Sequence, residues 1–304
     1  MQAEQEQFCA QLALEAGDPL LGTATQAQVW LLLEVREPWR AKAITDNDLP
    51  AQVQRYLAEQ LAAIPGSRLL FIKQQNPAQD KLRFFIVRSE EAAPALYEFE
   101  LAAYEALLAL DLATVAAGDG SYSDHKRAEP LFLVCTNGTR DKCCAKFGVP
   151  LFNSLLETQA ESAWQSTHIG GHRYAPNVLF LPHSVNYGTL TPAEIGPAVD
   201  ACLNGQLYDL DRYRGRTYYA PHVQAADYFL RRELNFLDLA GLRLRSAEVV
   251  DEDTWRVQFD IPATGETHEI MLLSRKTEQP RLVSCSSPAA KLVPRYRLLD
   301  HKIV

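Results

Sequence analysis

The sequence predicts an α/β fold with two halves of similar element order and a small β-rich C-terminal region. Three observations carry this. Short apolar runs, too short for helices, alternate with stretches of helical spacing. The order strand, helix, strand, strand, helix occurs before residue 120 and again after it. An alternating run around Trp255 leads through a Gly-containing turn into a further strand, which is a hairpin pattern.

The elements follow in order. The first ~25 residues read as a short helix and loop. Val29-Trp30-Leu31-Leu32-Leu33-Glu34-Val35 is a buried strand. Leu49, Val53, Tyr56, Leu57 and Leu61 give one apolar face to a helix over 48–63, which Pro65-Gly66 ends. Residues 69–72 and 84–87 are strands, and 96–101 is a third that runs into a helix through Leu110. Gly118-Asp119-Gly120-Ser121 marks a boundary. In the second half, 130–134 is a strand, 141–158 a helix, and 178–181 and 187–190 are strands. Thr191-Pro192-Ala193-Glu194 opens a helix with a capping Thr, Pro at the first position and Glu three residues after the cap. Residues 222–238 form an amphipathic helix, 254–261 and 268–273 a hairpin, and 281–285 a further strand. The order in each half is that of a small thioredoxin-type sandwich. The expected organisation is an N-terminal α/β region at 1–120, a second α/β domain at 121–240 and a β-rich region at 241–304. A degenerate tandem duplication is compatible with this order.

Composition narrows the function classes. Hydrophobic residues make up 47% and charged residues 22% of the 304, which excludes disorder for most of the chain. The net charge of −8 argues against nucleic acid and anionic membranes as partners. No apolar run reaches the ~18 residues of a spanning helix. The start at residues 1–6 is polar and acidic, without the basic and apolar regions of a signal peptide, so the expected location is cytoplasmic. In a reducing compartment Cys9, Cys135, Cys143, Cys144, Cys202 and Cys285 are expected as thiols, metal ligands or redox groups rather than disulfides.

Two stretches carry chemistry. In Cys135-Thr136-Asn137-Gly138-Thr139-Arg140-Asp141-Lys142-Cys143-Cys144, Cys135 ends a strand and Cys143-Cys144 begin a helix. In Thr167-His168-Ile169-Gly170-Gly171-His172, the glycines permit a tight loop and a close backbone approach. Two Cys and two His fit a tetrahedral zinc site or a [2Fe–2S] cluster with mixed ligands. Zinc modules use a tight Cys pair, whereas eight residues separate Cys135 from Cys144, a loop better suited to a multi-atom cluster.

These residues resemble the sucrase/ferredoxin-like family. The resemblance covers roughly residues 20–240. It includes Arg140-Asp141-Lys142-Cys143-Cys144-Ala145, the run from Gly170 to Leu179, Tyr187-Gly188-Thr189-Leu190, Gly22-Thr23-Ala24 and Trp30-Leu31-Leu32-Leu33-Glu34. It implies a thioredoxin-like ferredoxin fold and a [2Fe–2S] cluster held by Cys135, Cys144, His168 and His172, with both cysteines on one iron and both histidines on the other. One departure is Glu37-Pro38-Trp39-Arg40, where members with a longer glycine-rich turn after the Trp-containing strand carry Gly-Pro-Trp-Gly. The implied function is soluble one-electron transfer to or from an unknown reductase or acceptor. Proton coupling follows where a ligand imidazole loses its second proton in the oxidised form. Nothing points to a substrate of the chain's own, and no Gly-x-Gly-x-x-Gly follows a strand. The rival readings are a thiol–disulfide oxidoreductase using Cys143 or Cys144, against which the missing Cys-x-x-Cys counts, and a non-redox protein with a Cys2His2 zinc. Cys143 reads as a neighbouring free thiol, Cys285 as a buried thiol, and His183 as a loop histidine or a second-shell donor.

Overall fold

A computed structural model describes residues 7–76 and 80–304. The polar start at residues 1–6, read above as leaderless, lies outside the described residues. The first half comprises α1 (Cys9–Glu15), β1 (Val29–Glu34), α2 (Ala51–Ala63), β2 (Ser67–Lys73), β3 (Leu82–Arg88), β4 (Ala95–Leu101) and α3 (Leu112–Ala117). The second half comprises β5 (Leu131–Cys135), α4 (Lys142–Gln159), β6 (Ala163–Ser166), β7 (Asn177–Leu181), β8 (Val185–Gly188), α5 (Ile195–Leu203), β9 (Tyr213–Arg216) and α6 (Pro221–Leu234). The C-terminal region comprises β10 (Arg243–Val249), β11 (Thr254–Ile261), β12 (Glu266–Lys276), β13 (Arg281–Ser284), β14 (Ser287–Lys291) and β15 (Pro294–Ile303).

Both halves lie in one mixed nine-stranded sheet of order β4-β3-β1-β2-β6-β5-β7-β8-β9. Within the first half β1 pairs parallel with β2 and antiparallel with β3, and β3 pairs antiparallel with β4. The second half repeats this scheme, with β5 parallel to β6, β5 antiparallel to β7, and β7 antiparallel to β8. The halves join where β2 meets β6, antiparallel, through the pairs Ile72–Ser166 and Lys73–Gln165. The central strands β1 and β5 are buried at every residue, as expected of strands covered on both faces. Side-chain alternation divides their packing. Leu31 and Leu33 pack with Val53 and Leu57 of α2, whereas Trp30 and Leu32 join Leu133, Cys135, Cys144 and Trp164 in a core shared by the two halves. The antiparallel sheet β10-β11-β12-β15 buries Val257, Phe259, Ile270 and Leu272 against Val223, Ala226 and Leu230 of α6.

The structure corrects several sequence expectations. The helix expected to run to Leu110 is a 3-10 turn at Tyr104–Ala109; α3 follows, because the Asp111 carboxylate accepts the Thr114 amide at 3.1 Å and starts a new helix. The Thr191 to Glu194 segment forms a turn, and α5 starts only at Ile195. Glu194 does reach back to accept the Thr191 amide at 2.7 Å, but with Pro192 between them this closes a turn rather than a helical first turn. The strand at 281–285 pairs with β14 in a separate hairpin, and the C-terminal sheet takes β10 and β15 as its outer strands instead. The amphipathic helix stops at Leu234 because Asn235 adopts a left-handed conformation.

Candidate metal centre

Cys135 is the last residue of β5 and is buried. The short connection 136–141 then returns the chain so that α4 starts directly over the strand end. Asp141 caps α4 by accepting the Cys143 amide at 3.0 Å, which sets the first turn and places Cys144 in the shared core. Gly148, one turn further on, lets the helix lie flat on the strand: a Cβ there would sit 2.2 Å from the Cys135 carbonyl oxygen. The connection is held from outside by the first half. Thr139 Oγ1 donates to the Trp39 carbonyl at 2.9 Å, and Asn137 Nδ2 to the Arg40 carbonyl at 3.3 Å. The departing turn at residues 37–40 thus serves as a brace for the cysteine loop.

The histidines come from the loop between β6 and β7. His168 Nδ1 lies 4.0 Å from Cys135 Sγ and 3.7 Å from Cys144 Sγ. The three donor atoms fall within 4.8 Å of one another. His172 stacks on His168 with ring centroids 4.5 Å apart. Its Nδ1 is buried without a hydrogen-bond partner and stands 3.9 Å from Asp141 Oδ2. All four expected ligands therefore share one corner of the sheet. The glycines behave as their positions require. Gly170 (φ 122°) and Gly171 (φ 72°) occupy backbone conformations that suit glycine, and a Cβ would meet Thr25 Oγ1 at 2.0 Å and Arg214 Nη2 at 2.3 Å.

Arg214 is the supporting residue that carries no signal in the sequence. It is fully buried on β9 and its guanidinium holds the histidine loop from below. Nη1 donates to the Gly170 carbonyl at 3.0 Å, Nε to Thr23 Oγ1 at 3.0 Å, and Nη2 to the Thr23 carbonyl. The tight double glycine signals that something packs close, but not which residue. Arg173 packs rather than facing solvent: it pairs with buried Asp18, which also receives Arg281 and Arg295, each at 3.3 Å. Trp164 is buried edge-on against Phe85 in the same core as the two cysteines. Cys202 belongs to the second-half core, and His183 is half-buried, its carbonyl accepting from Arg216 at 3.1 Å.

The electrostatics favour coordination. The Cys135 thiol is held well below its usual range by S–H donation from Cys144 and by His168, against the opposing effect of burial. Cys144 is pushed up by the same shared proton and by burial. Cys135 is thus the readier of the two to offer a thiolate to a cation. Burial, then the neighbouring His168, pushes His172 down to about 4, which leaves its ring neutral and able to act as a ligand. For Asp141, burial opposes the charge. The Cys143 amide, the Ser284 hydroxyl, His172 and the Cys285 amide outweigh that and lower its pKa. Two thiols and two imidazoles, one with an orphaned nitrogen, form a donor set that suits a thiophilic transition metal. A cleft of about 730 Å³ beside Arg88, Glu91 and Tyr219 is lined by no Cys or His.

An α/β scaffold with a buried Cys/His corner defines a candidate metal-binding protein. The sequence profile of the sucrase/ferredoxin-like family matches residues 20–215, and the chain belongs to that family. Two curated relatives are similar. "Altered inheritance of mitochondria protein 32" of Meyerozyma guilliermondii is 33% identical over 104 residues, 31% of this chain and 37% of that protein. The protein of the same name in Debaryomyces hansenii is 24% identical over 206 residues, 64% of this chain and 73% of that protein. The chain thus spans little more than a third of the first relative. No solved structure matches. These findings overturn the expected function. The relatives are named for the inheritance of mitochondria and not as ferredoxin electron carriers, and the family match supplies no evidence of a [2Fe–2S] cluster. The one-electron carrier reading and its two rivals are withdrawn. Among the described residues no helix is long and apolar enough to cross a membrane.

Proposed function

We propose that this chain is a metal-centre protein of thioredoxin-like architecture whose cofactor is held by Cys135, Cys144, His168 and His172. The observation that carries the reading is the convergence of Cys135, Cys144 and His168 within 4.8 Å, with the orphaned ring of His172 stacked beside them. The thioredoxin-like assignment is supported by the strand order 4-3-1-2 with only the third strand antiparallel to its neighbours, present in each half. The cofactor proposed for this mixed donor set is a [2Fe–2S] cluster, which supplies a redox-active iron pair when bound. No electron-carrying role is attached to it. The residues' own part is plain: Cys135 and Cys144 offer thiolates from a rigid strand–helix junction, and Arg214 and the glycines fix the loop that offers the imidazoles.

The biological setting proposed is the one in the relatives' name, a contribution to the inheritance of mitochondria. The six free thiols support a reducing compartment, the cytoplasm in the sequence reading, and fractionation against mitochondrial markers tests this.

The decisive experiment is anaerobic purification with assays for iron, acid-labile sulfide and zinc. Iron with equimolar sulfide is expected. Cys135→Ser and Cys144→Ser should each lower metal retention by more than the 10–100-fold that loss of an outer-shell partner brings. Cys143→Ser should keep the iron and sulfide. Zinc without sulfide that Cys135→Ser removes would reject the cluster; it is the outcome to watch, because S···N separations of 3.7 and 4.0 Å are near the roughly 3.5 Å edge of a tetrahedral zinc cage. Absence of any bound metal, also after reconstitution, would reject the centre.

A further inference from the structure

A second group of sulfurs lies next to the first, and neither the sequence reading nor the family match accounts for it. Consecutive residues on a helix point about 100° apart. Cys144 therefore enters the shared core, while Cys143 enters a separate small cluster with Cys9, Ala10 and Ala175. There Cys143 Sγ lies 3.5 Å from Cys9 Sγ and 3.3 Å from Cys285 Sγ. The Asp141 carboxylate joins them, and the four ligand atoms all fall within 4.8 Å of one another. Cys9, Asp141 and Cys143 are buried and Cys285 is half-buried. The three thiols are free.

Two features make this more than an apolar packing of thiols. The Cys9 amide donates to Cys285 Sγ at 3.2 Å, an interaction that favours a thiolate over a thiol. The Asp141 carboxylate is already fixed in place. Oδ1 accepts the Cys143 amide at 3.0 Å, and Oδ2 accepts the Ser284 hydroxyl and the Cys285 amide, both at 2.8 Å. A carboxylate has about four lone-pair positions, so Oδ1 keeps one for a further partner. Two of these donors come from the hairpin β13–β14, so the hairpin is shaped around this carboxylate.

We propose that Cys9, Cys143, Cys285 and Asp141 form a second metal site, a Cys3Asp cage for a zinc ion. Three thiolates and a carboxylate are a closed, four-coordinate set of the kind zinc takes in structural sites. Zn–S bonds of about 2.3 Å set S···S edges near 3.8 Å, so the sulfurs need to part by only a few tenths of an ångström. On binding, each thiol loses its proton to solvent and each sulfur donates a pair to the ion; nothing is oxidised or reduced. The ion ties α1 and the β13–β14 hairpin to the start of α4, across sequence separations of 134, 142 and 276 residues. Because Asp141 also faces His172, and Cys143 adjoins Cys144, the second site buttresses the helix that carries a ligand of the first.

The test uses the full chain, reduced and stripped of metal, titrated with zinc sulfate and then pulse-alkylated, with each cysteine read separately by peptide fragmentation. Zinc should slow the alkylation of Cys9, Cys143 and Cys285 by at least about tenfold. It should also raise the thermal midpoint. Cys285→Ser, whose side chain is the least buried of the three, should abolish protection at Cys9 and Cys143 while leaving that at Cys135 and Cys144 unchanged. Cys9→Ser is the second variant should Cys285→Ser not fold. Zinc protection confined to Cys135 and Cys144, or protection of Cys9 and Cys143 that survives Cys285→Ser, would overturn the second site. Loss of the first centre alone would leave it standing.

Discussion

The two halves of the large sheet share strand order and strand directions but not chemistry. In the first half β1 ends at Glu34, which is buried and neutralised by Arg36 at 2.7 Å, with its other oxygen accepting the Arg83 amide at 2.9 Å. In the second half the equivalent strand end is Cys135, which faces a cysteine and a histidine. The cause lies in the connections. Residues 35–50 make a long excursion from β1 to α2, whereas residues 136–141 return from β5 at once, so only in the second half does the helix start press onto the strand end. One scaffold thus supports either an ion pair buried on one side or a buried corner of thiols and imidazole, and loop length decides which.

The comparison can be broken first at the helix–strand contact. Gly148→Ala forces a methyl into the Cys135 carbonyl and should cost about 3 kcal/mol in chemical denaturation, by overpacking against backbone that cannot move aside. Gly196→Ala in α5 is the control: nothing lies within 4 Å of its Cβ position, so it should be neutral or stabilise by up to about 1 kcal/mol. Equal effects would show that α4 does not rest on β5 as closely as described.

Arg214→Met tests the support of the histidine loop. It strands the Gly170 and Thr23 carbonyls in the interior, and should cost about 2 kcal/mol. It should also raise hydrogen exchange in residues 167–174 more than elsewhere. A uniform change would reduce Arg214 to general packing.

Glu34→Gln probes the other half. It removes a charge pair that is buried on one side only, so a loss of about 1 kcal/mol is expected, with metal content unchanged. A fall in bound metal would mean that the two strand ends are energetically linked.

The smallest effect concerns pH. Burial, then the Arg216 charge, lowers the pKa of His183 in the folded chain. The unfolded state, with an imidazole near 6.5, then takes up a proton that the folded state resists. The stability contributed is complete above about pH 6.5 and is lost as pH falls below it. His183→Gln should flatten that part of the stability profile; an unaltered slope would show that His183 titrates alike in both states.

How much was legible follows from what each feature depends on. The buried strands β1 and β5 announce themselves as continuous apolar runs, since burial on both faces is a local demand on composition. Cys135, Cys144, His168 and His172 were visible because their ligand chemistry and the double glycine are written in contiguous stretches. Among the strands that were missed, the central β6 is only Ala-Trp-Gln-Ser, too short for a periodic signal, and at the edges β9 is Tyr-Arg-Gly-Arg and β15 carries Arg295, Arg297, Asp300 and Lys302, so neither shows the period of a half-buried strand. The helix start at Thr191 was misplaced because a capping pattern and a closed turn use the same residues.

By itself the sequence determined the mixed α/β class, most of the strands and helices, and four candidate donor residues, all of which rest on local periodicity and on residue chemistry within short spans. Only the tertiary structure decided that Arg214 supports the histidine loop, that the turn at residues 37–40 braces the cysteine loop, and that Cys9, Cys143 and Cys285 meet around Asp141. Those contacts join residues up to 276 positions apart. Their physical reason is the antiparallel junction of β2 with β6 and the return of the C-terminal hairpin onto α4, which no spacing along the chain encodes.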